Sequence, residues 1–139
     1  MAADIEHLQV SANGITFHVA ASRPADAPPV LCLHGFPEGS MSWRPVMERL
    51  GEARVYAPDL RGYPGSGRPE HGYDVGTLTD DIAALIEALG IDRPLLVAHD
   101  WGGALGSARS CGRAGARNST RILFAILSFF GVGALPSRK

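Results

Sequence analysis

The most constraining stretch of the chain is Val97-Ala98-His99-Asp100-Trp101-Gly102-Gly103. A short apolar run, Pro94 to Ala98, leads into an acidic residue with small residues two places before it (Ala98) and two places after it (Gly102). This is the small-x-nucleophile-x-small pattern of a strand that turns sharply into a helix, where bulky neighbours at those two positions would clash. The turn leaves the acid exposed beside the first N–H groups of the helix, which lack helical partners and bind negative charge. Ser is the familiar residue in this slot. A carboxylate there points instead to attack on carbon through an alkyl-ester intermediate. The plainer reading of the same residues is an Asp at a strand end, hydrogen-bonded to a helix N-terminus.

The residues before this turn alternate between strand and helix signals. Ile5 to Val10 and Ile15 to Ala20 read as two strands joined at Asn13-Gly14, both of which tolerate positive φ. Val30 to Leu33 is a continuous apolar run, the mark of a strand buried on both faces. It is followed by His34-Gly35-Phe36-Pro37-Glu38-Gly39-Ser40, a shaped loop at the strand's carboxyl end, where α/β sheets bind ligands. Met41 to Leu50 reads as a short helix despite Pro45, and Arg54 to Ala57 as the next strand. A Gly/Pro-rich loop from Pro58 to Gly67 follows, which a pairing of Asp59 with Arg61 would brace. Thr77 to Leu89 is the clearest helix: Leu78, Ile82, Leu85, Ile86 and Leu89 share a face, with Asp80, Asp81 and Glu87 away from it. Thr77 or Thr79 is placed to cap its start and Gly90 to close it. Together these elements predict a mostly parallel, right-handed α/β sheet.

Beyond Leu105 the rhythm stops. Through Leu105 the chain has seven basic and fourteen acidic residues; after it come six basic residues and no Asp, Glu or His. Residues 106–118 are Gly, Ala, Ser and Arg apart from Cys111 and Asn118, with no apolar stripe, and each glycine weakens a helix by about 1 kcal/mol relative to Ala. Residues 122–135 form an apolar run, short against the roughly 20 residues of a membrane span. The chain is thus expected to comprise a domain at 1–105 and an atypical basic and apolar tail at 106–139, the signature of a frame change or aberrant splice. A composition 45% hydrophobic and 19% charged is that of a globular chain, and a net charge of −1 gives no reason to expect nucleic acid. Two cysteines, Cys32 and Cys111, fit a reduced, cytoplasmic setting, and the first ten residues lack the apolar core of a secretory signal.

Three motifs in order, His34-Gly35-Phe36-Pro37-Glu38, Asp59-Leu60-Arg61-Gly62-Tyr63 with Ser66, and His99-Asp100-Trp101-Gly102-Gly103, resemble the epoxide hydrolase branch of the α/β-hydrolase superfamily. The resemblance covers about Ile15 to Leu105 and implies the N-terminal part of that fold, without a cap domain. It implies that Asp100 is the nucleophile, that the backbone N–H groups of Phe36 and Trp101 form the oxyanion hole, and that His34, Pro37 and Trp101 belong to the substrate pocket. Pro37 shapes its loop, and a cis bond before it is compatible with that role. The substrate implied is a small-molecule epoxide, opened to a vicinal diol; no cofactor, metal, nucleic acid or membrane is implied. Haloalkane and fluoroacetate dehalogenases share the Asp nucleophile, and Phe36-Pro37-Glu38 favours epoxides over them. The family's His base, its acid partner and the cap tyrosines have no match here: His99 is expected to point away from Asp100, His34 to order its loop, and Tyr63 and Tyr73 precede the turn. The resemblance therefore implies a chain inactive in turnover. A non-catalytic short form that self-associates through an exposed sheet edge is the reading from a different class.

Overall fold

The computed structural model describes residues 4–111 and 121–122, with side chains through residue 106. The predicted apolar run at 122–135 lies outside the described residues, apart from the backbone of residue 122.

The chain forms β1 (Ile5–Ala12), β2 (Ile15–Ser22) and β3 (Pro29–Leu33), then a 3₁₀ turn (Ser40–Trp43) running into α1 (Arg44–Arg49). It continues through β4 (Arg54–Pro58), α2 (Val75–Ala88), β5 (Leu95–Ala98), α3 (Trp101–Cys111) and β6 (Arg121–Ile122). One sheet in the order β1-β2-β4-β3-β5-β6 contains the six strands of the described residues. β1, β2 and β4 pair antiparallel, and β4, β3, β5 and β6 pair parallel. The hairpin turns at Asn13 and Gly14, with φ of 45° and 81°, as the Asn-Gly signal predicts. β3 is central, and its alternation feeds two cores. Leu31 and Leu33 pack with Phe17, Ile82, Leu85 and Leu96 on one face. Val30 and Cys32 pack with Trp43, Met47 and Val55 on the other. Pro45 is tolerated because it falls in the first turn of α1, where its missing N–H has no helical partner to lose.

Three local expectations are corrected. α2 starts at Val75, and its cap is Asp74, whose carboxylate accepts the Thr77 N–H at 2.9 Å, so neither Thr77 nor Thr79 caps it. Asp81 does not face water; it is buried at 2% exposure. Arg61 does not pair with Asp59. It forks onto both oxygens of Asp81 at 2.7 Å each, and the Asn13 side-chain amide donates to the same carboxylate at 2.7 Å. A buried charge is tolerated when it is paired and hydrogen-bonded, and this one joins helix, loop and hairpin.

α3 continues through Cys111, across the predicted boundary at Leu105, and β6 runs parallel to β5 opposite Leu95 and Leu96. Among the described residues no helix is long and apolar enough to cross a membrane.

Candidate active site

β3 and β5 lie side by side and point the same way, so the loop after Leu33 and the turn after Ala98 emerge together. The turn is built around Asp100, whose φ of +52° lies in the left-handed region that non-glycine residues seldom adopt. Such a conformation costs roughly 1–3 kcal/mol and persists where surrounding contacts enforce it. Here the His99 N–H is bound to Leu33 O on one side, and the Gly103 N–H to Asp100 O on the other.

The small residues flanking Asp100 have steric reasons. A Cβ on Gly102 would lie 2.5 Å from Leu33 O and 2.7 Å from His34 O, so only glycine lets α3 sit this close to β3. Ala98 is fully buried. A Cβ on Gly35 would lie 2.5 Å from the Cβ of Asp100, so that glycine also brings the loop against the acid.

The approach aims the Phe36 N–H at Asp100, whose Oδ2 accepts it at 3.0 Å. The Trp101 N–H, at the first residue of α3, lies beside the same carboxylate. These two N–H groups, Phe36 foremost, hold the Asp100 carboxyl below its ordinary range, with nearby His99 adding to the effect. No cation is salt-bridged to it among the described residues, and its side chain faces a cavity of about 410 Å³ lined by Phe36, Tyr63, Asp100, Trp101 and Ala104. Phe36 and Trp101 are exposed at 75% and 38%, an apolar rim around a charged centre.

The remaining predicted residues stand behind or beside this cavity. His34 is fully buried; one ring nitrogen meets Gly35 O at 2.9 Å and the other accepts the Leu60 N–H at 3.0 Å, so it ties the two loops together. The peptide between Phe36 and Pro37 is cis, and Pro37 is exposed beside the cavity lining. His99 turns its Nδ1 toward Glu38, 3.6 Å away, and no histidine among the described residues is hydrogen-bonded to Asp100. Sequence reasoning missed Tyr63 as a lining residue. Its ring meets His34 edge-on at 4.4 Å, and burial together with the charge of Asp100 raises its phenol pKa. It lies within the second motif, but its distance in sequence from Asp100 gives no local signal of their meeting.

This arrangement presents an ionised carboxylate whose Oδ2 is tied to the Phe36 N–H, with the Trp101 N–H beside it and no salt-bridged cation among the described residues, open to a partly apolar cavity. Comparison with known proteins agrees with the geometry. The family model for the alpha/beta hydrolase fold matches residues 28–109. Epoxide hydrolase A of Mycobacterium tuberculosis is 43% identical over 106 residues, 73% of this chain and 33% of that protein. The crystal structure of epoxide hydrolase VrEH1 from Vigna radiata superposes with a TM-score of 0.71 at 43% identity, covering 79% of this chain and 35% of the other. The haloalkane dehalogenase DatA from Agrobacterium tumefaciens C58 superposes with a TM-score of 0.70 at 29% identity, over 85% of this chain and 38% of that one. The chain thus spans about a third of the length of these relatives. With its parallel strands, its strained turn into α3 and a family match over more than half its length, the chain belongs to the alpha/beta hydrolase fold family.

Proposed function

We propose that Asp100 is the nucleophile of an epoxide-opening hydrolase and that this chain carries the nucleophile and oxyanion half of that site. The observation that carries the reading is the Asp100 carboxylate at a left-handed turn, with Oδ2 accepting the Phe36 N–H. In this reading the free oxygen, Oδ1, attacks an epoxide carbon. The C–O bond breaks, its electrons pass to the epoxide oxygen, and that oxygen takes a proton from solvent water to become a hydroxyl, leaving a hydroxyalkyl ester on Asp100. Oδ2 becomes the ester carbonyl oxygen. It already sits on the Phe36 N–H, so a later attack by water would develop its negative charge where backbone donors wait for it.

Ester hydrolysis needs a base to deprotonate water. His34 has both ring nitrogens engaged, and His99 is turned to Glu38. The chain alone therefore stalls at the ester, and turnover to the diol belongs to a protein that supplies the base. The same reading places the catalytic domain at 1–105, treats 106–139 as an appended tail, and sets the chain in the cytoplasm. Cys32 is a buried free thiol, and burial pushes its pKa up to about 12, which leaves it inert.

Incubation with styrene oxide followed by intact-mass spectrometry tests the proposal. One adduct per chain is expected for the wild type and none for Asp100→Asn; an equal yield from both overturns it. The likeness to a haloalkane dehalogenase favours a second reading, displacement of halide by the same carboxylate. Faster labelling by a primary bromoalkane than by an epoxide of equal size would select it.

A further inference from the structure

We infer that His7 and His18, on the β1–β2 hairpin, form a binding site for a divalent transition-metal ion, with Asp59 as the group behind His18. The two histidines share one face of the hairpin. Gln9 pairs with His18 and His7 with Ala20, so His7 and His18 are diagonal neighbours across the ladder. Asp59 is buried, and its carboxylate is fixed from two sides: Oδ1 accepts the Ser40 N–H at 2.6 Å, and Oδ2 lies 2.6 Å from His18 Nδ1. An ionised carboxylate only accepts hydrogen bonds, so in the neutral His18 imidazole the proton sits on Nδ1 and the lone pair on Nε2.

That lone pair meets His7 Nδ1 at 2.8 Å. The ring centres are 5.1 Å apart and the planes 19° from parallel. At this nitrogen separation, centres so far apart require both nitrogens to lie between them, so the rings meet edge to edge rather than face over face. With the His18 lone pair on Nε2, His7 is the donor along that line, through its Nδ1–H. A carboxylate behind one imidazole, which fixes its tautomer and orientation and turns its lone pair outward, is the arrangement that metal-ligating histidines use.

An ion would take the place of the bridging hydrogen. The His7 proton moves to its Nε2, leaving Nδ1 free to bind, and no net proton need leave. Each metal–nitrogen bond is roughly 2.0–2.1 Å, so the two nitrogens must separate. His7 has the freedom to do this: it is exposed, and β1 is the outer strand of the sheet. Two imidazoles suit zinc, copper or nickel rather than magnesium or calcium. No group of three or more His, Cys, Asp or Glu converges among the described residues, so water completes the coordination. The pair stands apart from Asp100, with β4 and β3 between β2 and β5.

Calorimetric titration of the full chain with zinc chloride tests this. One zinc per chain is expected, magnesium chloride giving no heat. His7→Ala should weaken binding at least tenfold with an unchanged circular dichroism spectrum. Asp59→Asn should weaken it about 10–100-fold. His71→Ala, at an exposed loop histidine, should leave it unchanged. Because Asp59 also holds Ser40, His7→Ala decides the matter, with ring ¹⁵N spectra as a second readout in which His7 and His18 nitrogens shift on zinc addition. No zinc binding by the wild type, equal binding by His7→Ala, or unmoved His7 and His18 signals overturns the proposal.

Discussion

Two carboxylates in this fold meet opposite fates. Asp81, on α2, is buried and held by the Arg61 guanidinium and the Asn13 amide. Asp100, after β5, is exposed and held by the Phe36 N–H with the Trp101 N–H beside it, and no cation is salt-bridged to it among the described residues. The first has its charge and its hydrogen-bonding capacity spent on joining three segments. The second keeps an oxygen free, and the backbone that holds it is bent into a rarely used conformation. An acid becomes structural when side chains neutralise it and available for chemistry when only the backbone orients it.

Exchanging the two acids separates these roles. Asp100→Asn removes the attacking oxygen, so epoxide labelling should vanish. Stability should stay within about 0.5 kcal/mol, because Asn tolerates a left-handed conformation. Labelling by mass spectrometry and urea unfolding check the two halves. Asp81→Ala leaves Arg61 buried without its partner and should cost about 3–5 kcal/mol in the same urea experiment. Labelling by whatever fraction remains folded should be unaltered.

Gly102→Ala probes what the turn requires. The added Cβ would strike the carbonyls of Leu33 and His34, so we expect a loss of about 1–3 kcal/mol. Unlike Asp81→Ala, it should also slow labelling of the folded chain, because α3 and the Trp101 N–H must shift.

The smallest expected effect is that of pH. The Asp100 carboxyl is lowered from 3.8, first by the Phe36 N–H and then by the Trp101 N–H. It therefore stays ionised as the pH falls from 8 toward 5, and labelling should hold constant, declining only below 3.8. The associated stabilisation has the same sign: present above the unfolded pKa, and lost as pH falls through the lower folded one. A labelling rate that halves between pH 6 and 7 would point to a histidine instead.

What was legible in the sequence was local. The Asn13-Gly14 turn, the two-faced run at β3 and the tight turn at Asp100 each depend on residues close together in the chain. The Phe36 contact became legible through the resemblance, since nothing local to Phe36 announces a residue 64 positions away. Asp81 was misread because helical periodicity sends charges outward, and its partner comes from a loop 20 residues earlier. His18 and Asp59, 41 residues apart, meet only because β2 pairs with β4. Tyr63 joins the cavity for a similar reason, through the packing of its loop on His34.

The central claim is that the carboxylate of Asp100 is the nucleophile. Its most direct test is to digest styrene-oxide-treated protein, map the modified residue by tandem mass spectrometry, and treat the labelled peptide with mild alkali. The account predicts modification at Asp100 and release by alkali, since the bond is an ester. A label on histidine or cysteine that survives alkali, with Asp100 unmodified, would contradict it.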